Sequence, residues 1–597
     1  MVPKVLTLGI PVFIFNENKF HGYINDSNFH ESMRHHFSGD NLTAVADARL
    51  VWNVIAEELA ETRIWTFNNK ENLKKTFSFE KAVEEINCPA DRTGKLSFTN
   101  KQVLALSIHA KSLTENEEKD YLLTDWLKER EISEARKRSL LEYASIFREQ
   151  ANIGIVIICD STDEGSLALT IKSLRCMVGM PDTLYFLSEK EILPSVFSEY
   201  NLKAHLYNDI NSIFEETNHN SLLFITAGDE VNSNALLLLF EYSIRHPEVL
   251  VCYFDELAIN ESKNDSLILK PDCNVDLLRS YPYIGRNLLI NVNAAKTVRV
   301  AGSTYQKLTL LDLTWKLIEI KGPAILGRLP EVITKMCIGW DAWLNSEHII
   351  TENKRVVSEH LSRIGIQANI TEGSLNFNQN IEYILPYHPL VSIIIITRDN
   401  FTLLNRCIES LLQNTRYLNY EIVIADNGSV DKDMLFFLEK VEAGIFSNIS
   451  ALRMNAEFNF SLIANQASRE AKGEILLFLD NDTEIIQSQW LDVLLQQVMR
   501  PEVGLVGPRL EYYDGRIQHG GFILGVNDGV ENVFDGYNSA EPGYLFYLNN
   551  VRNVSALSSS CLMIRKNVFD EVGGFSDDVF KFYYGDVDLA LKLTQQG

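Results

Sequence analysis

Three short acidic clusters in the last third of the chain carry residue types at spacings that could do chemistry. The run EILLFLDNDTE stays apolar until it reaches Asp480, Asn481 and Asp482. Carboxylates thus stand at the carboxyl end of a buried strand, where open α/β sheets bind their ligands. Two carboxylates one residue apart can hold a hard divalent cation, since Mg²⁺ commonly uses one or two carboxylates together with phosphate oxygens. A cation so held neutralises a diphosphate as it departs. Later, VFKFYYGDVDLALKL puts Asp586 and Asp588 at the opening of an amphipathic helix, where a carboxylate can take the proton from an attacking hydroxyl. Before both, IVIADNG ends with Asp426 beside Asn427 and Gly428, placed to accept hydrogen bonds from a base or ribose.

Each cluster alone has a plainer reading. Asp and Asn at a strand end suit a solvated turn. Asp586 and Asp588 suit first-turn acids that favour the helix dipole, and Asp588 fits that role best. Asp-Asn-Gly is a turn signal. The order and spacing of all three together favour the chemical reading.

The elements that must position these groups read as a layered α/β fold. VSIIII (391–396), YEIVIA (420–425), EILLFL (474–479) and VGLVG (503–507) are buried-strand runs, with helices such as Leu403 to Gln413 and Trp490 to Met499 between them. The same pattern starts earlier, from Ile153, with IGIVII, TLYFL, SLLFI and VLVCYF, as expected of βαβ units on a mostly parallel sheet. SLLFITAGDE followed by RHPEV overlays EILLFLDNDTE followed by MRPEV without a gap, pairing Leu222 with Leu476 and Glu248 with Glu502. This marks an internal repeat. The expected organisation is an α-rich accessory region (1–150), a first Rossmann-like α/β domain (151–345), a linker (346–387) and a second such domain (388–597) that is C-terminally short. Within the accessory region, a hairpin is expected around Asn16-Glu17-Asn18-Lys19. Helices are expected over VWNVIAEELAETRIW and EKDYLLTDWLKEREISEARKRSLLEYASIF. VVSEHLSRIGIQANITEG reads as a short helix and strand leading to a linker that ends at Pro386 and Pro389.

The 597 residues exceed what one core accommodates, and their formal net charge is −25. No basic stripe offsets that charge, so nucleic acid is excluded as a partner. The eight cysteines are scattered, without C-x-x-C pairs or zinc spacing, and read as reduced thiols of a cytoplasmic protein. No run reaches the apolar length of a membrane span, so any membrane contact, at the inner face, is expected to be peripheral.

The motif order resembles the family 2 glycosyltransferases of GT-A fold. The matching segments are PLVSIIIITRDN with NRCIESLLQNT, EIVIADNGSVD, FNFSLIANQASREAKGEILLFLDNDTEI, VGLVGPRLEYYDGRIQHGGFILG, SSSCLMIRKNVFDEVGGF and GDVDLALKL. They cover Pro389 to Gly597 closely and Ile153 to Trp343 more weakly, a layout similar to two-domain bacterial rhamnosyl- or O-antigen-type transferases. The resemblance implies inverting transfer of a sugar from a nucleoside-diphosphate sugar to a hydroxyl of a cell-surface glycan or lipid-linked glycan acceptor. It implies Mg²⁺ or Mn²⁺ and the diphosphate at Asp480 and Asp482, the nucleoside at Asp426 and Thr397, and the general base at Asp586. Gly585 departs from the family, which usually has Glu there, and removes a polar acceptor contact. His519 falls where relatives often carry a similar Gln-His pair and is expected to be structural or acceptor-side rather than a metal ligand. The match ends just after the helix bearing Asp586, whereas relatives continue through another strand and often a His that completes the metal site.

The first copy reads as the same fold with its chemistry removed. Thr226-Ala227-Gly228 stands where Asp480-Asn481-Asp482 stands, with Asp229 close by, and Leu310 and Asp312 stand opposite Asp586 and Asp588. YFDELAI and LKPDCNVDLL nevertheless resemble family segments, so Asp255, Glu256, Asp272 and Asp276 are candidates to shape a pocket. Two other classes compete with the enzyme reading. One is a non-catalytic scaffold that binds glycan or partner enzymes; the other is a nucleotidyltransferase, disfavoured because no glycine-rich basic phosphate loop is present.

Overall fold

In the computed structural model the described residues are 123, 125–147, 152–159, 164–188, 203–259, 264–298, 307–455, 457–526 and 529–596, preceded by the backbone of two strands, Phe13–Asn16 and Lys19–Tyr23. Those two strands pair antiparallel with Asn16 opposite Lys19, the hairpin expected there. The helix expected over VWNVIAEELAETRIW lies outside the described residues. The long charged segment after it is interrupted at Ser133, whose hydroxyl accepts the Arg136 N–H at 3.2 Å and so caps the helix Glu134–Ile146.

The C-terminal sheet has six strands in the order Ile449–Met454, Tyr420–Asn427, Val391–Thr397, Ile475–Asp480, Cys561–Arg565, Leu505–Val506. The first four run parallel, and Cys561–Arg565 is antiparallel to both neighbours. Successive side chains of a strand point to opposite faces, and here both faces are covered. Ile393 and Ile395 pack with Leu404, Cys407 and Leu411 of the helix Phe401–Asn414. Ile394 packs on the other side with Ile463, Ala464 and Ala467 of the helix Phe460–Glu470. Burial on both faces explains why the strand reads as an unbroken apolar run.

The first copy repeats this order. Its sheet runs Lys203–Tyr207, Thr183–Leu187, Ile153–Ile158, Ser221–Thr226, Leu288–Asn291, Val251–Ile259, Leu326–Lys335, again with an antiparallel strand, Leu288–Asn291, inserted between the fourth and the next. Gly154 lies opposite Leu222 as Ser392 lies opposite Leu476, so the sequence overlay corresponds to equivalent positions on two central strands.

Residues 346–387 hold more structure than the short helix and strand expected of them. The helix Glu347–Arg363 buries Val356 and Val357 and stacks His360 on Trp315 with ring centroids 3.9 Å apart. Strands Ala368–Glu372 and Gln379–Tyr383 then form an antiparallel hairpin. The two copies meet through buried polar groups. Arg500 of the second donates to both carboxylate oxygens of Asp276 in the first, at 2.6 and 3.0 Å, and Asn553 adds a third bond at 2.8 Å. Burial pushes the Asp276 carboxyl up, but the Arg500 hydrogen bonds and charge outweigh it and hold the group below its ordinary value. Asp276→Ala would leave Arg500 and Arg279 without their buried counter-ion. It is therefore expected to lower unfolding free energy by roughly 3–5 kcal/mol, read from denaturant midpoints.

Candidate active site

Register alone brings the sequence-selected residues to one edge. Thr397 is paired with Asp426, and Ile396 with Asp480, on three parallel strands that end together. Thr397 and Asp426 are buried, at 3% and 2% exposure. Asn481 Nδ2 donates to Thr397 Oγ1 at 2.9 Å, tying the acidic turn to the end of the strand Val391–Thr397.

Asp426 accepts from the Ser429 backbone N–H at 3.3 Å and from its hydroxyl. Ser429 Oγ accepts in turn from the Asp399 N–H at 2.6 Å, while Asp399 Oδ1 accepts the N–H groups of Val430 and Asp431 at 2.7 and 2.8 Å. The Asp431 and Val430 hydrogen bonds hold the Asp399 carboxyl below its ordinary value. Asp399 and Asn400 occupy the left-handed region with φ of 54° and 53°, conformations that Asp and Asn tolerate better than most residues. The loops after the first two strands are thereby laced together around Asp426. Beside it, the buried Asn427 amide has no hydrogen-bond partner among the described residues, a state that costs free energy until something pairs it. Sequence reasoning missed Asp399 and Ser429, although Arg-Asp-Asn and Asn-Gly-Ser just past two strand ends were the signal available.

Asp480 and Asp586 face one another electrostatically across the strand edge. Burial raises the Asp480 carboxyl, the charges of Asp482 and Asp586 raise it further, and a hydrogen bond from Ser560 opposes them. Burial likewise raises Asp586, against backbone N–H bonds from Ser559 and Val587, each 2.9 Å. Asp482 is exposed at the mouth. A strap formed by Ser558, Ser559 and Ser560 links these groups. The Ser560 carbonyl accepts the Asp480 N–H at 3.0 Å, the Ser559 N–H binds Asp586, and the Ser558 N–H donates to His519 Nε2 at 3.1 Å. The strap acts mainly through backbone atoms, so no sequence motif announces it.

His519 is 4% exposed, with Nδ1 on Asn532 Oδ1 at 3.1 Å. Burial pushes its pKa down to about 4, leaving a neutral ring that fixes the strap. The structure thus gives it the structural part of its expected role. Asp588 accepts from the Ser576 hydroxyl at 2.8 Å and pairs with Lys592 at 3.0 Å one turn on, which is the first-turn acid expected. At Gly585 an added Cβ would lie 2.9 Å from Ser461 Oγ and 3.4 Å from Phe575. Ser461 therefore fills the space where the family's Glu would start.

The first copy spends its acids internally. Asp229 takes Arg286 Nε at 3.1 Å and Nη2 at 2.5 Å, Asn287 at 2.8 Å and the Cys337 N–H at 2.9 Å. Asp255 is clamped by Arg328 at 2.7 and 2.8 Å, and Glu256 by Lys270 at 2.5 Å. Asp312 pairs with Lys316 at 2.8 Å. The pocket expected of Asp255 and Glu256 is corrected accordingly, because paired and fully buried carboxylates are closed to a ligand. Of the other two, Asp276 joins the copies and Asp272 stays half exposed.

Among the described residues no set of three or more His, Cys, Asp or Glu side chains is arranged to hold a metal ion. Asp480 and Asp482 suit a cation that completes its shell with phosphate oxygens and water. The mutual repulsion of Asp480, Asp482 and Asp586 is what such a cation would relieve. No described helix is long and apolar enough to cross a membrane.

A mostly parallel α/β sheet with one inserted antiparallel strand, carrying acids at its carboxyl edge, is the GT-A architecture the motifs led one to expect. Residues 392–573, within the C-terminal domain, match the sequence profile of Glycosyl transferase family 2. The chain is 31% identical over 412 residues to an uncharacterized protein of Sinorhizobium fredii, spanning 67% of this chain and 45% of that one. It is 31% identical over 383 residues to the O-antigen biosynthesis protein RfbC of Myxococcus xanthus, spanning 63% and 29%. An N-acetylglucosaminyl-diphospho-decaprenol L-rhamnosyltransferase of Mycobacterium tuberculosis is 26% identical over 194 residues, 30% of this chain and 61% of that one. The chain thus spans less than half the length of the first two relatives.

Proposed function

We propose that the C-terminal domain transfers a sugar from a nucleoside-diphosphate sugar to a hydroxyl of a glycan or lipid-linked glycan, in cytoplasmic synthesis of a surface polysaccharide. The observation that carries this reading is the convergence of Asp480, Asp482 and Asp586 at one sheet edge, beside Thr397 and the laced loops around Asp426. Thr397 and Asp426 bind the nucleoside, and Asp480 and Asp482 hold Mg²⁺ or Mn²⁺ against the diphosphate. A divalent cation there carries the charge of the leaving group. Asp586 takes the proton from the acceptor hydroxyl as its oxygen bonds to the anomeric carbon and the bond from that carbon to the diphosphate breaks. One displacement inverts the anomeric centre, so no covalent nucleophile is needed. The relatives named for O-antigen biosynthesis and for rhamnosyl transfer to a diphospho-decaprenol acceptor support the acceptor class. The first copy, its acids already paired, serves as a supporting domain.

The test is release of nucleoside diphosphate from a panel of sugar nucleotides by the intact chain, with Mn²⁺ and with EDTA, and with a polyprenyl-diphosphate-linked sugar as acceptor. Metal-dependent, acceptor-stimulated release with an inverted product is the expected result. Absence of release from every donor, in a chain that also binds no nucleotide, would favour the scaffold reading.

A further inference from the structure

Arg552, which is half-buried, is set apart from the other arginines held inside this chain. Arg286, Arg328 and Arg500 each meet an aspartate, at Asp229, Asp255 and Asp276. Arg565 lies on the carbonyls of Val498 and Arg500, at the negative end of the helix Trp490–Val498. Arg552 has no carboxylate within ion-pair distance among the described residues, in a chain with 80 acidic against 55 basic side chains. Its Nε donates to the Tyr547 carbonyl at 3.1 Å, and its Nη2 to the Gly520 carbonyl. The rings of Tyr547 and Phe534 flank the guanidinium, with centroids 5.3 and 5.5 Å away. Burial lowers its pKa to about 10. Nη1 makes no hydrogen bond among the described residues, and Arg552 lines a cleft of 2080 Å³ together with Asp482, Gln518 and Tyr547. An arginine fixed on one edge by carbonyls and rings, with its other edge free, presents a two-pronged donor to a phosphate.

Its place in the site gives the direction. Gly520, which accepts from Arg552, follows His519, and His519 holds the Ser558 end of the strap. The Ser560 end lies at Asp480, and Ser559 between them binds Asp586. Arg552 is thus linked through Gly520 and His519 to the Ser558 end of the strap, Asp480 is bonded to its Ser560 end, and Asp586 is bonded between them.

We propose that Arg552 is an anion-binding residue on the acceptor side of Asp586, taking a phosphate group carried by the acceptor. The acceptor assignment rests on the transferase reading above. The anion site itself does not.

The test is calorimetric titration of inorganic pyrophosphate, in EDTA, into the intact chain, Arg552→Gln and Arg552→Lys, with UDP, TDP and GDP plus Mn²⁺ titrated in parallel. Loss of one charge-assisted contact should weaken pyrophosphate about tenfold or more in Arg552→Gln, with nucleotide affinity unchanged. Equal pyrophosphate affinity in the variant, or none in the intact chain, overturns the proposal. An equal loss of nucleotide affinity moves Arg552 to the donor phosphates and overturns the acceptor assignment. If Arg552→Gln does not fold, Arg552→Lys decides. It keeps the charge but loses the fork, so weaker pyrophosphate binding supports the site and unchanged affinity removes it. Nucleotide failing to bind the intact chain is a separate result, which bears on the transferase reading and leaves the anion site to the pyrophosphate arm.

Discussion

Asp586→Asn is expected to leave metal-dependent nucleotide binding intact and to lower turnover by about 10²–10⁴-fold, the loss typical of a removed general base. The amide occupies the same space and keeps one of the two backbone contacts, from Ser559 and Val587, that orient the carboxylate. What disappears is the ability to take a proton. Burial raises the Asp586 carboxyl, and a base must be ionised to act. The wild-type rate should therefore fall as pH drops through a value above the ordinary 3.8, and the variant should lack that limb. A pH–rate profile of both proteins, alongside kcat and KM, checks this. A purely structural role would lower nucleotide affinity or melting temperature together with the rate.

Asp480→Ala and Asp482→Ala are expected to act at an earlier step. Either change should remove the metal-dependent part of nucleotide binding and lower kcat/KM by about 10²–10³-fold, several kcal/mol of charge stabilisation. Asp480 is raised by burial and by the charges of Asp482 and Asp586. A cation binds only the ionised carboxylate, so Mn²⁺ affinity should weaken as pH falls through that raised pKa. Adding Mn²⁺ should in turn shift the apparent ionisation of the site downward. Binding measured from the ordinary carboxylate value of 3.8 up to neutral pH reads both effects. Mn²⁺ affinity that is flat with pH, or unchanged in the two alanine variants, would remove the acids from the metal site.

The strands were legible because Val391–Thr397 and Ile475–Asp480 are buried on both faces and therefore continuous in apolar residues. Parallel pairing in register then carried Thr397, Asp426 and Asp480 to one edge, a consequence of topology that strand ends already suggest. What the sequence hid was the set of partners. Asp229, Asp255 and Asp276 look like available acids in one dimension, yet Asp229 and Asp255 meet arginines 57 and 73 residues away, and Asp276 takes Arg500, 224 residues on, besides the nearby Arg279. The strap of Ser558 to Ser560 works through peptide groups, which leave no mark on residue type. The substitution at Gly585 became intelligible only once Ser461, on another helix, was seen to occupy the space. The helix and hairpin of 347–383 were read as little more than a connection because their buried contacts, such as His360 on Trp315, lie on other elements.

Isothermal titration of UDP, TDP and GDP, each with Mn²⁺ or EDTA, into the intact chain and the Asp480→Ala/Asp482→Ala double variant tests the central claim most directly. At least one nucleotide should bind the intact chain in Mn²⁺, lose most of its affinity in EDTA, and bind the variant no better in Mn²⁺ than in EDTA. If no nucleotide binds the intact chain, or if the variant keeps the metal effect, the C-terminal edge is not a donor site and the enzyme reading is contradicted.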